Sequence, residues 1–140
     1  MAISQAMCTS FKAEILDEQH DLVADTIKIA LYTSSASLGA GTTAYSTTNE
    51  ITGSGYTAGG VALSSKTVDT SGTTAYFDSA DPSWTSATFT ANGALIYNEA
   101  ATGDPSVCVL DFGADKGASA GDFTIVFPTA DASNAIIRIA

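Results

Sequence analysis

Basic side chains and histidine are scarce in this sequence. Five Lys and Arg stand against fifteen Asp and Glu, giving a formal net charge of −10, and His20 is the only histidine. Nucleic acids and anionic membranes are bound mainly through clustered Lys and Arg, so we expect neither as a partner. A single histidine also argues against the usual histidine-rich zinc sites. We predict no metal and no cofactor.

Cysteines and long hydrophobic runs are also few. Cys8 and Cys108 lie far apart in a chain long enough to build its own core, which favours buried free thiols over a disulfide. No stretch approaches the roughly 20 apolar residues that span a membrane. The first residues lack the basic and apolar regions of a secretory signal, so we expect synthesis and folding in a reducing cytosol.

Apolar residues and small uncharged residues make up most of what remains. The apolar fraction is 45% and only 14% of the residues are charged, against about 25% in ordinary soluble domains. That balance predicts a folded chain, and 140 residues are a usual size for one domain. We therefore predict a single domain over residues 1–140. Its sparsely charged surface suits packing against another protein.

Residues 4–18 show the spacing of an amphipathic helix. Its apolar positions, four residues apart, are Ile3, Met7, Phe11 and Ile15. We predict an α-helix over residues 4–18, with Ser4 as its N-cap and the last three apolar positions facing the core. His20 follows the end of this helix, where a charged imidazole can face the last carbonyl groups. We predict a capping role for it.

From residue 26 onwards the apolar pattern changes to the period of two that is typical of strands. Residues 26–33 alternate apolar and polar side chains, and short segments of β type recur between turn residues. The further candidates are residues 61–68, 73–78, 87–90, 94–98, 107–112, 122–127 and 135–139. We predict a mainly β domain over residues 26–140, an antiparallel β-sandwich or barrel-like fold with one N-terminal α-helix. Asn92 and Gly93 can form either a hairpin turn or a bulge within one longer strand.

Residues 34–60 are the least regular part of the sequence. They are nearly uncharged and rich in Thr, Tyr and Gly, and we predict one short strand near residues 45–51 between exposed loops. Interface cores are poor in Lys and Glu and rich in Tyr. We therefore predict that this segment contacts a partner, with Tyr45, Ile51 and Tyr56 as the candidate interface residues.

The sequence offers weak candidates for catalysis. His20 has no nucleophile elbow near it. Asp78 and Asp81 could act as a carboxylate pair beside Trp84 as a sugar platform, and a second acidic loop, residues 111–122, carries further carboxylates. Either loop could hold a weak calcium site. Turn formation explains both loops better, because Asp, Ser, Gly and Pro are the residues that turns require. We predict that the protein is not an enzyme and has no catalytic residues, with a carbohydrate-binding β-sandwich as the small-molecule alternative.

Four tracts carry a resemblance to a known family. They are SQAMCTSFKAEIL, DTIKIALYTSSASLG, ATFTANGALIYNEA and VCVLDFGADKGASAGDFTIVFPTADASNAIIRIA. Together they resemble a family of small virion structural proteins encoded among the head and tail genes of tailed bacteriophages. The resemblance covers nearly the whole chain except residues 42–71, and it rests on length and pattern. It implies a non-enzymatic component of the virus particle, and no site residues are carried over from it.

Charge favours one place for such a protein on the particle. A protein on the outside of a DNA-filled shell has no reason to be basic, and acidic charge in many copies keeps particles apart. We predict a capsid decoration (cement) protein that binds the major capsid protein or other virion proteins, assembled in the host cytoplasm. A tail or fibre protein is the alternative. Closed symmetry and the threefold sites of capsid lattices favour a homo-oligomer, and we predict a trimer.

Overall fold

The computed structural model describes residues 2–140 and is built mainly of antiparallel strands. In chain order the elements are β1 (Ala6–Met7), α1 (Thr9–Leu16), β2 (Ile27–Tyr32), β3 (Val61–Ala62), β4 (Thr67–Ser71), β5 (Thr74–Asp78), β6 (Ser83–Asn98), β7 (Ser106–Thr124) and β8 (Ile137–Ile139). They form two sheets. The strand order is β1-β7-β6-β2-β3 in the five-stranded sheet and β4-β5-β8 in the three-stranded sheet. This sandwich-like, two-sheet arrangement with one short helix confirms the predicted fold class.

The long hairpin of β6 and β7 is the centre of the larger sheet. Leu95 lies opposite Val109 in this hairpin, and on the other side of β6 it neighbours Ala30 of β2. All three side chains are fully buried on one face, and Ala94 and Ile96, which point to the other face, are fully buried as well, so both faces are covered at this level. The near-continuous apolar run at the end of β6 is the sequence signature of such a doubly covered strand.

Asn92 and Gly93 lie inside β6 and form no hairpin turn. Ala91 pairs with Lys116, whereas Gly93 pairs with Asp111, so four residues of β7 face a single residue of β6. A Cβ atom on Gly93 would lie 2.6 Å from the carbonyl oxygen of Leu110, which explains why glycine occupies this position. Of the two structures that the sequence allowed here, the bulge is confirmed.

The N-terminal helix is shorter than predicted. Ala6 and Met7 do not extend α1 but pair with β7, opposite Val109 and Cys108. The backbone N–H of Ser4 donates to the carbonyl oxygen of Leu38, so Ser4 is no N-cap. The predicted start at residue 4 is therefore wrong, because the open edge of β7 offers these residues cross-strand hydrogen bonds that helical periodicity cannot reveal.

The helix ends where the acidic residues begin. Glu18 adopts a left-handed backbone conformation (φ 62°), and the N–H of Gln19 donates to the carbonyl oxygen of Glu14 at 3.0 Å. This is the hydrogen bond of a Schellman motif, which satisfies a free carbonyl at the helix end. Phe11 is the fully buried residue of the helix, and Ile15 is half-buried. No helix among residues 2–140 has the length and apolar character to cross a membrane.

The two cysteines confirm the prediction of free thiols. Cys8 and Cys108 are both buried and neither is in a disulfide. Burial raises the pKa of the Cys108 thiol, and it also raises the pKa of the Cys8 thiol. Both residues therefore act as small apolar side chains of the core.

Candidate functional site: a charge-free face

The part of the chain that is poorest in charge lies between Lys28 and Lys66. Glu50 is the only charged residue within it. The stretch begins with β2 and continues through residues 33–60, which lie along the larger sheet. Tyr32 forms a bridge with Glu50, and the N–H of Ile51 donates to the carbonyl oxygen of Leu31. The segment is therefore fixed to the sheet next to β2.

The single carboxylate of this stretch is hydrogen-bonded within the chain. The hydroxyl of Tyr56 donates to Oε1 of Glu50 at 2.6 Å, and the N–H of Gly59 donates to the same oxygen at 2.7 Å. The hydroxyl of Tyr45 donates to Oε2 at 2.7 Å. Charge-assisted hydrogen bonds of this kind are the strong ones. Glu50 therefore acts as an anchor for the surrounding segment.

Four tyrosines surround this anchor, and their hydroxyls all have partners. The Tyr56 hydroxyl also accepts from the N–H of Leu31, which ties it to β2. Tyr97 donates to the carbonyl oxygen of Gly59 at 2.7 Å, and its ring stacks on that of Tyr45 with centroids 4.6 Å apart. Tyr32 donates to the carbonyl oxygen of Ser46. Burial raises the pKa of each of these tyrosines, and the nearby Glu50 carboxylate raises it further.

Two glycines let the segment approach the sheet closely. A Cβ atom on Gly60, which has a φ of 76°, would overlap the carbonyl oxygen of Ile29. A Cβ atom on Gly53 would lie 2.5 Å from the carbonyl oxygen of Thr88 and 2.9 Å from Cβ of Phe89. Close backbone approach of this kind requires glycine. The glycine-rich sequence therefore serves packing of the segment on the sheet.

The outer side of the segment forms an open groove of about 810 Å³. Every residue that lines it is uncharged, and most carry a hydroxyl group or no side chain beyond Cβ. The lining includes Ser4, Tyr32, Thr42, Thr43, Ser46 and Asn49. Thr43 and Thr48 are exposed there. We call this groove and the exposed residues of 33–49 the charge-free face.

The three residues predicted to contact a partner take up different positions. Ile51 is only 3% exposed and belongs to the core of this chain. Tyr45 and Tyr56 are half-buried, and their hydroxyls bind Glu50. Glu50 itself and the groove were missed at the sequence level, although the absence of neighbouring charge signalled them. The strand predicted near residues 45–51 is also wrong, because only isolated bridges form there.

The side chain of His20 is buried in a second polar cluster, at the end of α1. Its Nε2 lies 3.2 Å from Oε1 of Glu14 and its Nδ1 lies 3.1 Å from Nδ2 of Asn98. The ring packs on Phe11, with centroids 5.0 Å apart. The predicted cap is therefore wrong, because tertiary packing turns the imidazole towards side chains of α1 and β6 and the helix carbonyl is satisfied by Gln19.

Asn98 joins this cluster to the rest of the sheet. It is fully buried, donates to Oδ2 of Asp25 at 2.7 Å, and accepts hydrogen bonds from the N–H groups of Ala100 and Ala101. The ammonium group of Lys66 donates to the carbonyl oxygen of Asp25. Hydrogen bonds from the N–H of Asp21 and from Asn98 hold the pKa of the Asp25 carboxyl below its usual value. These contacts position α1 and the chain before β2.

Carboxylates of both acidic tracts accept hydrogen bonds from backbone N–H groups, and the loop predicted over residues 111–122 is wrong, because these residues lie within strand β7. Asp81 accepts from the N–H of Phe127, and Asp111 accepts from the N–H of Gly113. Trp84 is 2% exposed and lies edge-on to the ring of Phe123, so it offers no open platform to a sugar. Within residues 2–140, no three His, Cys, Asp or Glu side chains are grouped closely enough to hold a metal ion.

Comparisons of the chain with protein-family models, with curated proteins and with solved structures find no match. The distinctive surface of residues 2–140 is the charge-free face. It is a large uncharged surface on a chain whose net charge is −10.

Proposed function

We propose that this chain is a non-enzymatic structural component of a tailed-phage virion. It is a decoration protein that binds the outer surface of the capsid through the charge-free face. The observation that carries the proposal is that the segment from Ile29 to Ser65 contains one charged side chain, Glu50, and that this side chain is hydrogen-bonded inward. The resemblance of the chain to small virion proteins supplies the class of assembly.

The physical argument concerns the approach of two acidic surfaces. Fifteen acidic residues against five basic ones make most approaches of this chain to another acidic protein repulsive. Burying charged side chains at a contact also costs desolvation energy unless each charge finds a partner. A face lined with Ser, Thr, Gly and Ala avoids both costs. It is the surface that can be buried against a partner without pairing charges.

The partner that fits this face is the major capsid protein or another virion protein. The groove offers no Lys or Arg to phosphate groups, so it suits protein and not nucleic acid. The acidic remainder of the chain then faces solvent and keeps neighbouring particles apart. The trimer expected from the sequence stays a prediction for the chain on the capsid lattice, where threefold sites are available. A tail or fibre protein with the same face is the second candidate.

Adding charge to the face tests its role. We expect the double variant Thr43→Glu and Thr48→Glu to bind particles about tenfold more weakly or worse, because both exposed residues would then carry a carboxylate into the contact. Ser71→Glu, on the exposed strand β4, is the matched control and should bind normally. Binding is measured by co-sedimentation with particles that lack the protein. Unchanged binding of the double variant would contradict the proposal.

Hydrogen exchange and a density map distinguish a capsid decoration protein from a tail or fibre protein. Backbone amides of residues 33–49 should exchange more slowly on the particle than in the isolated chain. A density map of the particle should place the chain on the outer capsid, in a copy number that matches lattice sites. A few copies at the tail would favour the second candidate. Specific binding of the isolated chain to glycans, without particle binding, would favour a carbohydrate-binding module.

A further inference from the structure

A second surface lies at the edge of the larger sheet. Strand β1 covers β7 only at Cys108 and Val109, while β7 continues to Thr124. The side chain of Gln5 extends this cover by one residue, because its Oε1 accepts from the N–H of Asp111. Beyond that point, no strand within residues 2–140 pairs with the outer side of β7. Unpaired edges of this length are ready to pair with another chain.

When two copies of this edge are placed antiparallel, the sequence of one copy complements that of the other. Residues 116–122 read Lys-Gly-Ala-Ser-Ala-Gly-Asp, with Ser119 at the centre. Reversed about that centre, each small residue meets one of similar size, and Lys116 meets Asp122. Both charged residues are exposed. An antiparallel pair of identical strands has this twofold relation between its two members.

We propose that a second copy of this chain binds at this edge, with residues 116–122 of the two copies antiparallel about a twofold axis at Ser119. Each Lys116 then lies opposite Asp122 of the other copy, and the contact is made twice. Opposite charges directly across a strand pair stabilise it, and like charges destabilise it. The inference goes beyond the proposed function, because it concerns the isolated chain without a particle.

Lys116 differs in its surroundings from three of the four other basic residues; the fourth, Lys12 on α1, likewise forms no side-chain ion pair or hydrogen bond within residues 2–140, but it does not lie on a strand edge. Lys28 forms an ion pair with Glu99, Lys66 donates to Asp25, and the guanidinium of Arg138 donates to the carbonyl oxygen of Ala132. In the part of the chain that the structure describes, Lys116 makes no such contact. Its ammonium group is therefore available to a carboxylate of a second molecule.

The small residues and the bulge near Ser119 are also explained by contacts of β7 with β6 in the same chain. Gly117 lies so close to the Phe89 carbonyl oxygen that its Cβ would come within 2.7 Å of that atom. Ala120 has a φ of 48° and forms part of a bulge opposite Thr88. Lysine and bulges can protect an edge from pairing. The charge pattern thus carries the proposal, since a lysine that only protected the edge would need no aspartate at the symmetric position.

A charge-reversal cycle on the full chain tests the pairing. Sedimentation of the unmodified chain over a range of concentrations should show a monomer–dimer equilibrium. Lys116→Glu alone and Asp122→Lys alone should each weaken dimerisation about tenfold, because each puts two like-charged pairs at the contact. The double variant should restore it. Lys12→Glu and Asp69→Lys, at exposed positions of α1 and β4, are the matched controls and should dimerise normally.

A cross-link supplies a measurement that does not depend on charge. Ser119→Cys should give a disulfide-linked dimer on mild oxidation, since the axis brings the two copies of this residue together. Ser133→Cys, on an exposed loop away from β7, should not. The background is low because Cys8 and Cys108 are buried. A monomer at all concentrations, a trimer, or a double variant as weak as the single ones would overturn the proposal. Capsid binding through the charge-free face is measured separately and would stand unchanged.

Discussion

Glu50 is a charged residue whose role is to hold an uncharged surface in place. Its two carboxylate oxygens accept three hydrogen bonds, two from Tyr45 and Tyr56 and one from the N–H of Gly59. Tyr45 lies among residues 33–49, and Tyr56 and Gly59 lie in the chain that leads from there to β3. One side chain therefore fixes the segment, and its charge is matched by donors of the same chain.

Removal of this carboxylate should destabilise the protein measurably. We expect Glu50→Ala to lower the free energy of unfolding by about 1.5–3 kcal/mol, because tyrosine hydroxyls lose a charged acceptor. Glu50→Gln keeps one oxygen as an acceptor and should cost less. Thr52→Ala, two residues away and exposed, should change stability by no more than about 0.5 kcal/mol. Urea unfolding measures all three, and equal stability of Glu50→Ala and Thr52→Ala would rule out the anchor.

The tyrosines predict how the protein responds to alkaline pH. Burial raises the pKa of Tyr32, Tyr45, Tyr56 and Tyr97 in the folded chain. A raised folded pKa means that the stabilisation is complete below the unfolded value of about 10 and is lost as the pH rises towards the folded value. Tyrosinate absorbance should therefore appear at higher pH in the folded chain than in denaturant. Coincident titration curves would show that these hydroxyls are open to solvent.

At the scale of single elements, α1 shows how a short helix is held by its surroundings. Eight residues make too few turns to be stable alone in water, so the helix depends on packing. Phe11 provides this packing, because its side chain lies in the core. The buried side chain of His20, which follows the helix, packs on the ring of Phe11. Leu16, on the same helix, is 89% exposed. The helix thus offers a buried and an exposed apolar residue for comparison.

Truncation of these two residues should have very different effects. Phe11→Ala should lower the free energy of unfolding by about 3–5 kcal/mol, because it leaves a cavity under the helix. Leu16→Ala should change it by no more than about 0.5 kcal/mol. Thermal or urea unfolding of the isolated chain gives both values. A Phe11→Ala variant as stable as the unmodified protein would mean that α1 does not pack on this domain in solution.

For the whole molecule, the distribution of charge matters more than its total. Strands β2 and β7 flank β6 on opposite sides, so the segment attached to β2 and the free part of β7 lie towards opposite edges of the sheet. The first carries a single charge, on Glu50, which is hydrogen-bonded inward, and the second carries a lysine and an aspartate at symmetric positions. A chain with a net charge of −10 can therefore meet one partner without pairing charges and a second copy by pairing them. The two contacts respond differently to salt, because only the second depends on opposite charges that salt screens.

Local sequence determined the class of fold and several details of it. The apolar pattern predicted strands over residues 26–33 and 73–78, and the structure contains strands at Ile27–Tyr32 and Thr74–Asp78. Residues that tolerate unusual backbone angles marked the bulge at Asn92 and Gly93. The lack of charge around residues 34–60 was also visible at once. These features depend on neighbours within a few residues, which is the range over which a pattern can be read.

Tertiary structure decided what the individual side chains do. Ile51 was expected at an interface and lies in the core, His20 was expected at helix carbonyls and binds Glu14 and Asn98, and Trp84 was considered as a platform and is buried. Asn98 is 78 residues from His20 in sequence. Contacts at such separations exist only once the sheets have formed, because they depend on which strands become neighbours. No local pattern carries that information, so the anchor at Glu50 and the free edge of β7 emerge only from the folded chain.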